Sequence, residues 1–297
     1  MKLLDDLIFM RNRAFSPDVK VPRLMFYHLP KTGGSYVYNS LSGALLLLSQ
    51  IIAANNPRFP GFKYDRIDKP EAKEWIKHLW LVATHLPYGW HFDYQPQPPF
   101  QLFTLVRDPF ERVLSDYTYT CMRKGKRTSK EEFLEFAALE ENRNIMVRHF
   151  CGGDPASPLD VAGVMRILER DFLAYDTTEH IPELIEGLLN HANLPNVMVQ
   201  GRINYTLDEY KLDASDLRPR IEAENRADLE LYAEIQARPR QLPIPAGESY
   251  HPATILMQET GGSERSMMRF QSIATAQLLD MVAQSQTGKA LFSHYFK

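Results

Sequence analysis

The stretch "RLMFYHLPKTGGSYVYNSL", residues 23–41, carries the pattern from which the fold can be read. Leu24 to Leu29 form a short apolar run rich in aromatic residues, as buried strands do. Pro30-Lys31-Thr32-Gly33-Gly34-Ser35 interrupts that run, and from Ser35 to Ala54 apolar residues recur nearly all round a helix. A parallel-sheet strand that ends in a glycine-containing turn and feeds a helix leaves N–H groups pointing outward, and the helix dipole favours negative charge there. Gly33 and Gly34 permit positive φ and close backbone approach. Lys31 adds a mobile cation, while Thr32 and Ser35 add hydroxyl donors. The segment reads as a phosphate cradle, although "KTGGS" alone is equally compatible with a tight turn carrying an exposed lysine. It is not the G-x-x-x-x-G-K-[ST] loop of ATPases, because Lys31 precedes the glycines.

Working outward, further strands are expected at Leu79 to Thr84, Leu102 to Val106, Phe172 to Tyr175 and Val197 to Gln200. Helices are expected from Pro70, from Pro109, after the capping-box pattern Ser129-Lys130-Glu131-Glu132, at Ile181 to Leu189 and at Ile221 to Ile235. Strand alternating with helix predicts an α/β fold with a central, mainly parallel sheet flanked by helices on both faces. The proline-rich "DYQPQPPF", residues 93–100, reads as a loop into the third strand. A second loop, "RPRQLPIPAGESYHP", residues 238–252, separates this body from the last helical stretch. The expectation is one domain over residues 1–297, with a core of about 22–235 and a helical C-terminal extension of about 240–297.

With 34 basic against 37 acidic side chains, the net charge of -3 argues against a dedicated nucleic-acid binder but leaves room for a local anion pocket. Two cysteines, Cys121 and Cys151, are too few for a disulfide scaffold and read as reduced thiols. "MKLLDDLIFMRNRAF" has acids where a signal peptide has bases, and the apolar run Ala44 to Leu48 is too short to span a bilayer. A cytoplasmic protein with no membrane span is expected, although the lumenal part of an anchored enzyme would look the same. The pattern carries no signal for an oligomeric state.

A second segment tips the balance at "KTGGS". In "FTLVRDPFERVLSDYTYTC", residues 103–121, Arg107 stands at the carboxyl end of a strand, where open α/β sheets bind ligands. Pro109 opens a helix, and Ser115 lies about two turns along it. The plainer alternative is an Arg107–Asp108 pair that only ties the turn. Two anion-binding elements on two strands suit a nucleotide with phosphates at both ends.

Together these segments resemble the PAPS-dependent sulfotransferases, in the carbohydrate branch related to heparan sulfate 2-O- and 6-O-sulfotransferases. The resemblance rests on "HLPKTGGS" (28–35), "LVRDPFERVLSDYTY" (105–119) and "THLPYGWH" (84–91), with weaker echoes in "NIMVRHFCG" (144–152), "YDTTEHIPELI" (175–185) and "ENRADLELY" (224–232). It implies a three-layer P-loop-type fold and PAPS as co-substrate, with no metal. Lys31, Thr32, Gly33, Gly34 and Ser35 would hold the 5′-phosphosulfate, and Arg107 and Ser115 the 3′-phosphate. Ser35 stands where Thr is commoner in the family, and Thr84 where Gly is expected.

Sulfuryl transfer to an alcohol needs a held donor, a cation for the leaving phosphate and a base for the hydroxyl proton. Lys31 and the turn amides suit the second role. No metal is demanded, since a sulfuryl group carries less charge than a terminal phosphoryl group, and no compact ligand cluster is visible. Among nine histidines, His85 ends a strand on the same rim as Lys31 and Arg107, and the resemblance puts the catalytic base there. A lone histidine at a strand end is otherwise more often structural. His91 is the runner-up. His28 reads as structural, His149 and His180 as packing residues, and His78, His191, His251 and His294 as surface groups.

Asn144 and Arg148, i and i+4 on an expected helix, could orient an acceptor or form an ordinary pair. Asn204-Tyr205-Thr206 is a sequon without meaning in a cytoplasmic protein, and Arg202 could help a loop close over the nucleotide. "RKGKR", residues 123–127, is read as a solvated helix end rather than a polyanion site. The expected acceptor is a saccharide hydroxyl. The rivals are an ATP-dependent small-molecule kinase and a non-catalytic module on a nucleotide-binding scaffold.

Overall fold

A computed structural model describes residues 22–34, 36–37, 41, 81–89, 92, 99–154, 157–192 and 206–243. Four strands, β1 (Leu24–Tyr27), β2 (Leu81–Thr84), β3 (Gln101–Val106) and β4 (Phe172–Thr177), form one all-parallel sheet in the order β2-β1-β3-β4. Tyr27 lies beside both Thr84 and Thr104, so the carboxyl ends of β1 and β2 are level while β3 runs two residues further. The helices are α1 (Pro109–Lys124), α2 (Lys130–Ala138), α3 (Ile145–Phe150), α4 (Val161–Asp171), α5 (Ile181–His191), α6 (Arg218–Glu224) and α7 (Arg226–Ala237). A further helix begins at Gly34. Among the described residues, no helix is long and apolar enough to cross a membrane.

The unbroken apolar run of β1 follows from burial on both faces. Leu24 and Phe26 join Phe103, Leu105 and Ala174 in a core covered by Val37 and Leu41 and by α5. Met25 and Tyr27 face the other way, with Val82, Leu102 and Phe172, under α3, α4 and α7. A third cluster packs α1 against α2 and α6.

Local chemistry sets the helix ends. Asp108 caps α1 by accepting from Glu111 N at 2.9 Å, with Pro109 in the first turn. At the other end Gly125, at φ 61°, lets Lys126 N reach back to Cys121 O at 2.9 Å. Ser129 caps α2 through Glu132 N as expected. The reciprocal half of that box is missing, because Ser129 N donates to the Tyr117 hydroxyl instead.

Several expectations need correction. The helix foreseen over Ile221 to Ile235 is two helices, α6 and α7, broken at Asn225. The buried Asn225 side chain donates to Ile221 O at 2.9 Å and accepts from Asn144 N at 2.9 Å, so it ties the break to the residue that opens α3. Asn144 returns the tie: its Oδ1 accepts from Ala227 N and Asp228 N. The Asp228 carboxylate then accepts from Met146 N at 3.2 Å and Val147 N at 2.9 Å. The starts of α3 and α7 cap one another. Asn144 has φ 49° and precedes α3, so it does not share a helix face with Arg148; Arg148 instead donates to Glu140 O at 2.8 Å. α4, which the sequence reading passed over, is capped by Asp160 on Gly163 N. β1 stops two residues before Leu29, and β4 runs on to Thr177.

Cys121 and Cys151 are both free thiols. Most of the helix expected up to Ala54, the helix from Pro70, the strand at Val197 to Gln200, Arg202, the sequon and everything beyond residue 243 lie outside the described residues. So do Ser35, His78, His91, His251 and His294.

Candidate functional site

The strand order has one point where neighbouring connections diverge. The chain leaves β1 for β2 on one side and returns to β3 on the other, from which it proceeds to β4. Neighbouring strands β1 and β3 therefore send their connections in opposite directions. Between their carboxyl ends a crevice opens in sheets of this kind. The Lys31 turn follows β1 and Arg107 follows β3 at this point of the sheet.

In the turn, Lys31 has φ 67° and Gly33 has φ 78°. For a residue with a Cβ that backbone costs about 1–2 kcal/mol, and such strain concentrates at functional positions. Gly33 O accepts from Tyr36 N at 2.9 Å and from Val37 N at 3.2 Å, which starts the helix. Among the described residues, the N–H groups of Gly33 and Gly34 have no acceptor. They are the unpaired donors that a helix start offers an anion. Neither glycine tolerates a side chain. A Cβ on Gly33 would come within 2.5 Å of Ile181 Cδ1, and one on Gly34 within 1.9 Å of His28 Nε2. Thr32, expected to offer its hydroxyl outward, is buried and donates it to Leu29 O at 2.8 Å. Its role here is to close the turn.

Arg107 is half-buried and points at the turn: its Nη1 donates to Lys31 O at 3.2 Å. Nη2 lies 3.7 Å from Glu111, not on Asp108, which is paired with Arg218. The Lys31 ammonium lies 3.8 Å from the centre of the Tyr119 ring. Burial brings the pKa of Lys31 down to about 8, with Arg107 pushing the same way and Asp116 opposing. Ser115 is half-buried on α1, one turn before Tyr119.

His85 follows β2 directly. Its Nδ1 lies 2.6 Å from His28 O, and a carbonyl only accepts, so Nδ1 carries the hydrogen. In the neutral ring Nε2 then holds the lone pair. The His28 ring stacks beside it at 4.3 Å between centroids and packs on Phe26 at 5.0 Å. His85 keeps access to solvent on its outer side. Even so, desolvation by the surrounding chain lowers its pKa below the usual 6.5, against the pull of the His28 carbonyl and Asp116. Burial, with His85, His149 and Lys31 nearby, holds His28 well below that value.

The structure thus brings Lys31, Gly33, Gly34, Arg107 and His85 to one rim. It adds three groups the sequence reading did not use: Tyr119 under the lysine, Asp116 beside both Lys31 and His85, and His28 between Gly34 and His85. For Asp116 and Tyr119 the available signal was their place in "SDYTY", about one helical turn apart. His149 takes the packing role expected of it, edge-on to Tyr27, with its pKa brought down to about 4 by burial. His180 does not pack. It bonds Asp176 at 2.9 Å at the head of α5, and that bond raises its pKa. Lys126 in "RKGKR" is exposed and paired with Glu132 at 2.8 Å, and with the exposed Arg123, Lys124 and Arg127 it forms a solvated helix end. A cavity of about 240 Å³ lies between α4 and α7, away from this rim, lined by Glu169, Glu230 and Glu234 with Arg166 and Arg238.

Compared with protein-family models and with curated protein sequences, the chain finds no match in either. A functional reading therefore stands on the chemistry of the rim.

Proposed function

We propose that this chain is a P-loop-type sulfotransferase that moves a sulfuryl group from PAPS to an acceptor hydroxyl, most simply on a carbohydrate, in the cytoplasm. One observation carries the reading. The Arg107 guanidinium, from the end of β3, reaches the Lys31 turn after β1, so the two elements read as anion-binding stand side by side.

In this reading the amides of Gly33 and Gly34, with Lys31, bind the 5′-phosphosulfate. Arg107 and the Ser115 hydroxyl bind the 3′-phosphate. Thr32 supports the turn from within, and Ser35 would add a second hydroxyl at the helix start. His85 Nε2 accepts the acceptor's proton as the acceptor oxygen bonds to sulfur. The bond from sulfur to the bridging phosphate oxygen breaks, and its electron pair leaves with adenosine 3′,5′-bisphosphate, where Lys31 meets the charge. The locked tautomer and lowered pKa of His85 leave that nitrogen unprotonated at neutral pH.

The test compares thermal stabilisation by adenosine 3′,5′-bisphosphate with that by ATP plus magnesium, followed by transfer of radiolabelled sulfate to saccharides. Stabilisation by the bisphosphate with sulfate transfer supports the reading. Preference for ATP and magnesium would make the chain a kinase, and binding without transfer a non-catalytic module.

A further inference from the structure

The ammonium of Lys31 has no carboxylate partner among the described residues. Its backbone is held in a left-handed conformation, and its carbonyl is held by Arg107. Among the described residues, an aromatic face contacts the end of this side chain. Tyr119 lies on α1, eighty-eight positions further along the chain, and its ring also has the Arg123 guanidinium at 5.9 Å. We propose that Tyr119 is a positioning residue for Lys31: its ring face holds the ammonium at the mouth of the β1 turn, where a bound phosphosulfate would meet it. This rests on the turn being the phosphosulfate site, but the ring–ammonium pairing is testable without any ligand.

The ring does this electrostatically. The negative face of an aromatic ring attracts a cation, and the attraction strengthens where water is displaced. Lys31 is half-buried, and burial already draws its pKa to about 8. The charged and titratable groups around it are Asp116 on α1, Arg107 at the end of β3, His28 after β1, and Arg123 over the same ring. Only Asp116 among these favours the ammonium form. Without the aromatic face, the proton would leave at lower pH and the side chain would lose its seat.

The decisive experiment titrates Lys31 directly in the ligand-free chain. Lysines are reductively methylated with ¹³C-formaldehyde, and the Lys31 signal is identified by its loss in Lys31→Arg. Tyr119→Phe keeps the ring and should titrate as the unmodified chain does. Tyr119→Leu should move the midpoint to lower pH by about 0.5–1 and weaken adenosine 3′,5′-bisphosphate binding about 3- to 10-fold at neutral pH. Tyr119→Met, equally without a ring, repeats the test should the leucine variant not fold. An unmoved midpoint in the leucine or methionine variant, or an equal movement in the phenylalanine variant, overturns the proposal. If the unmodified chain binds no bisphosphate, the sulfotransferase reading fails, while the titration still judges Tyr119.

Discussion

Gly34→Ala is the most informative single change, because two opposing effects can be weighed from the coordinates. Gly34 begins a helix and does not have positive φ. Alanine there should gain up to about 1 kcal/mol from helix propensity and a less flexible unfolded chain. Against this, the new Cβ would stand 1.9 Å from Nε2, 2.0 Å from Cε1 and 2.4 Å from Cδ2 of His28. Three ring atoms must retreat by more than 1 Å to reach ordinary contact at about 3.4–4 Å. That ring is not a loose end, since Phe26 stacks on it and the tilted His85 ring packs against it. Overpacking of this kind costs about 1–3 kcal/mol, so a net loss of about 1–2 kcal/mol is expected.

The catalytic effect should be larger than the stability effect. His85 is anchored to the His28 carbonyl, and a misplacement of about 1 Å can cost 10²-fold in rate. The assay is urea unfolding of the unmodified chain, Gly34→Ala, His28→Ala and the double variant. With the His28 ring gone, the alanine at 34 should become neutral or stabilising, a coupling of about 1–3 kcal/mol. An equal cost at position 34 with and without the ring would refute the reasoning, as would an unchanged midpoint for Gly34→Ala.

Other expectations follow from the same coordinates. His85→Ala should lower sulfate transfer about 10²- to 10⁴-fold while bisphosphate affinity holds. In the unmodified enzyme the acid limb of kcat should fall below pH 6.5, because the cationic form of His85 is disfavoured; a limb above 6.5 speaks against this base. Arg107→Ala should weaken adenosine 3′,5′-bisphosphate far more than 5′-AMP in calorimetric titrations, and equal weakening would separate Arg107 from the 3′-phosphate. Asp228 is fully buried, and desolvation raises its carboxyl to about 6, against Arg112 and the Met146 and Val147 amides. A folded pKa above the unfolded value of about 3.9 means the contribution is full below pH 4 and lost as pH rises through 6. Relative to Asp228→Asn, the chain should therefore lose about 2 kcal/mol between pH 4 and pH 7. A pH-independent difference in unfolding free energy would remove Asp228 from that account.

What could be read from the sequence was what local pattern encodes. Leu24 to Tyr27 announce a doubly buried strand through unbroken apolar character, and Gly33 and Gly34 announce a sharp turn because little else fits there. Arg107 was visible because a charged residue ends an apolar run just before a helix-opening proline. The features that escaped depend on partners far along the chain. Nothing near Asn225 marks a helix break, since Ile221, Leu231 and Ile235 keep an apolar face across it; the break is set by Asn144. Thr32 looks like a donor to a ligand until the turn closes and puts Leu29 O within reach. The seat of the Lys31 ammonium on Tyr119 joins two motifs that were each legible, through a contact that neither contains.

The mutual capping of α3 and α7 bears on the order in which the chain can mature on the ribosome. The four described strands have been synthesised by Thr177, yet the opening amides of α3 receive their acceptor only when Asp228 emerges. A nascent chain halted before Asn225 would hold the four described strands with one covering helix unlatched and part of its apolar face open to chaperones. Closure of that latch, a contact between distant segments, is thereby the natural late step of folding.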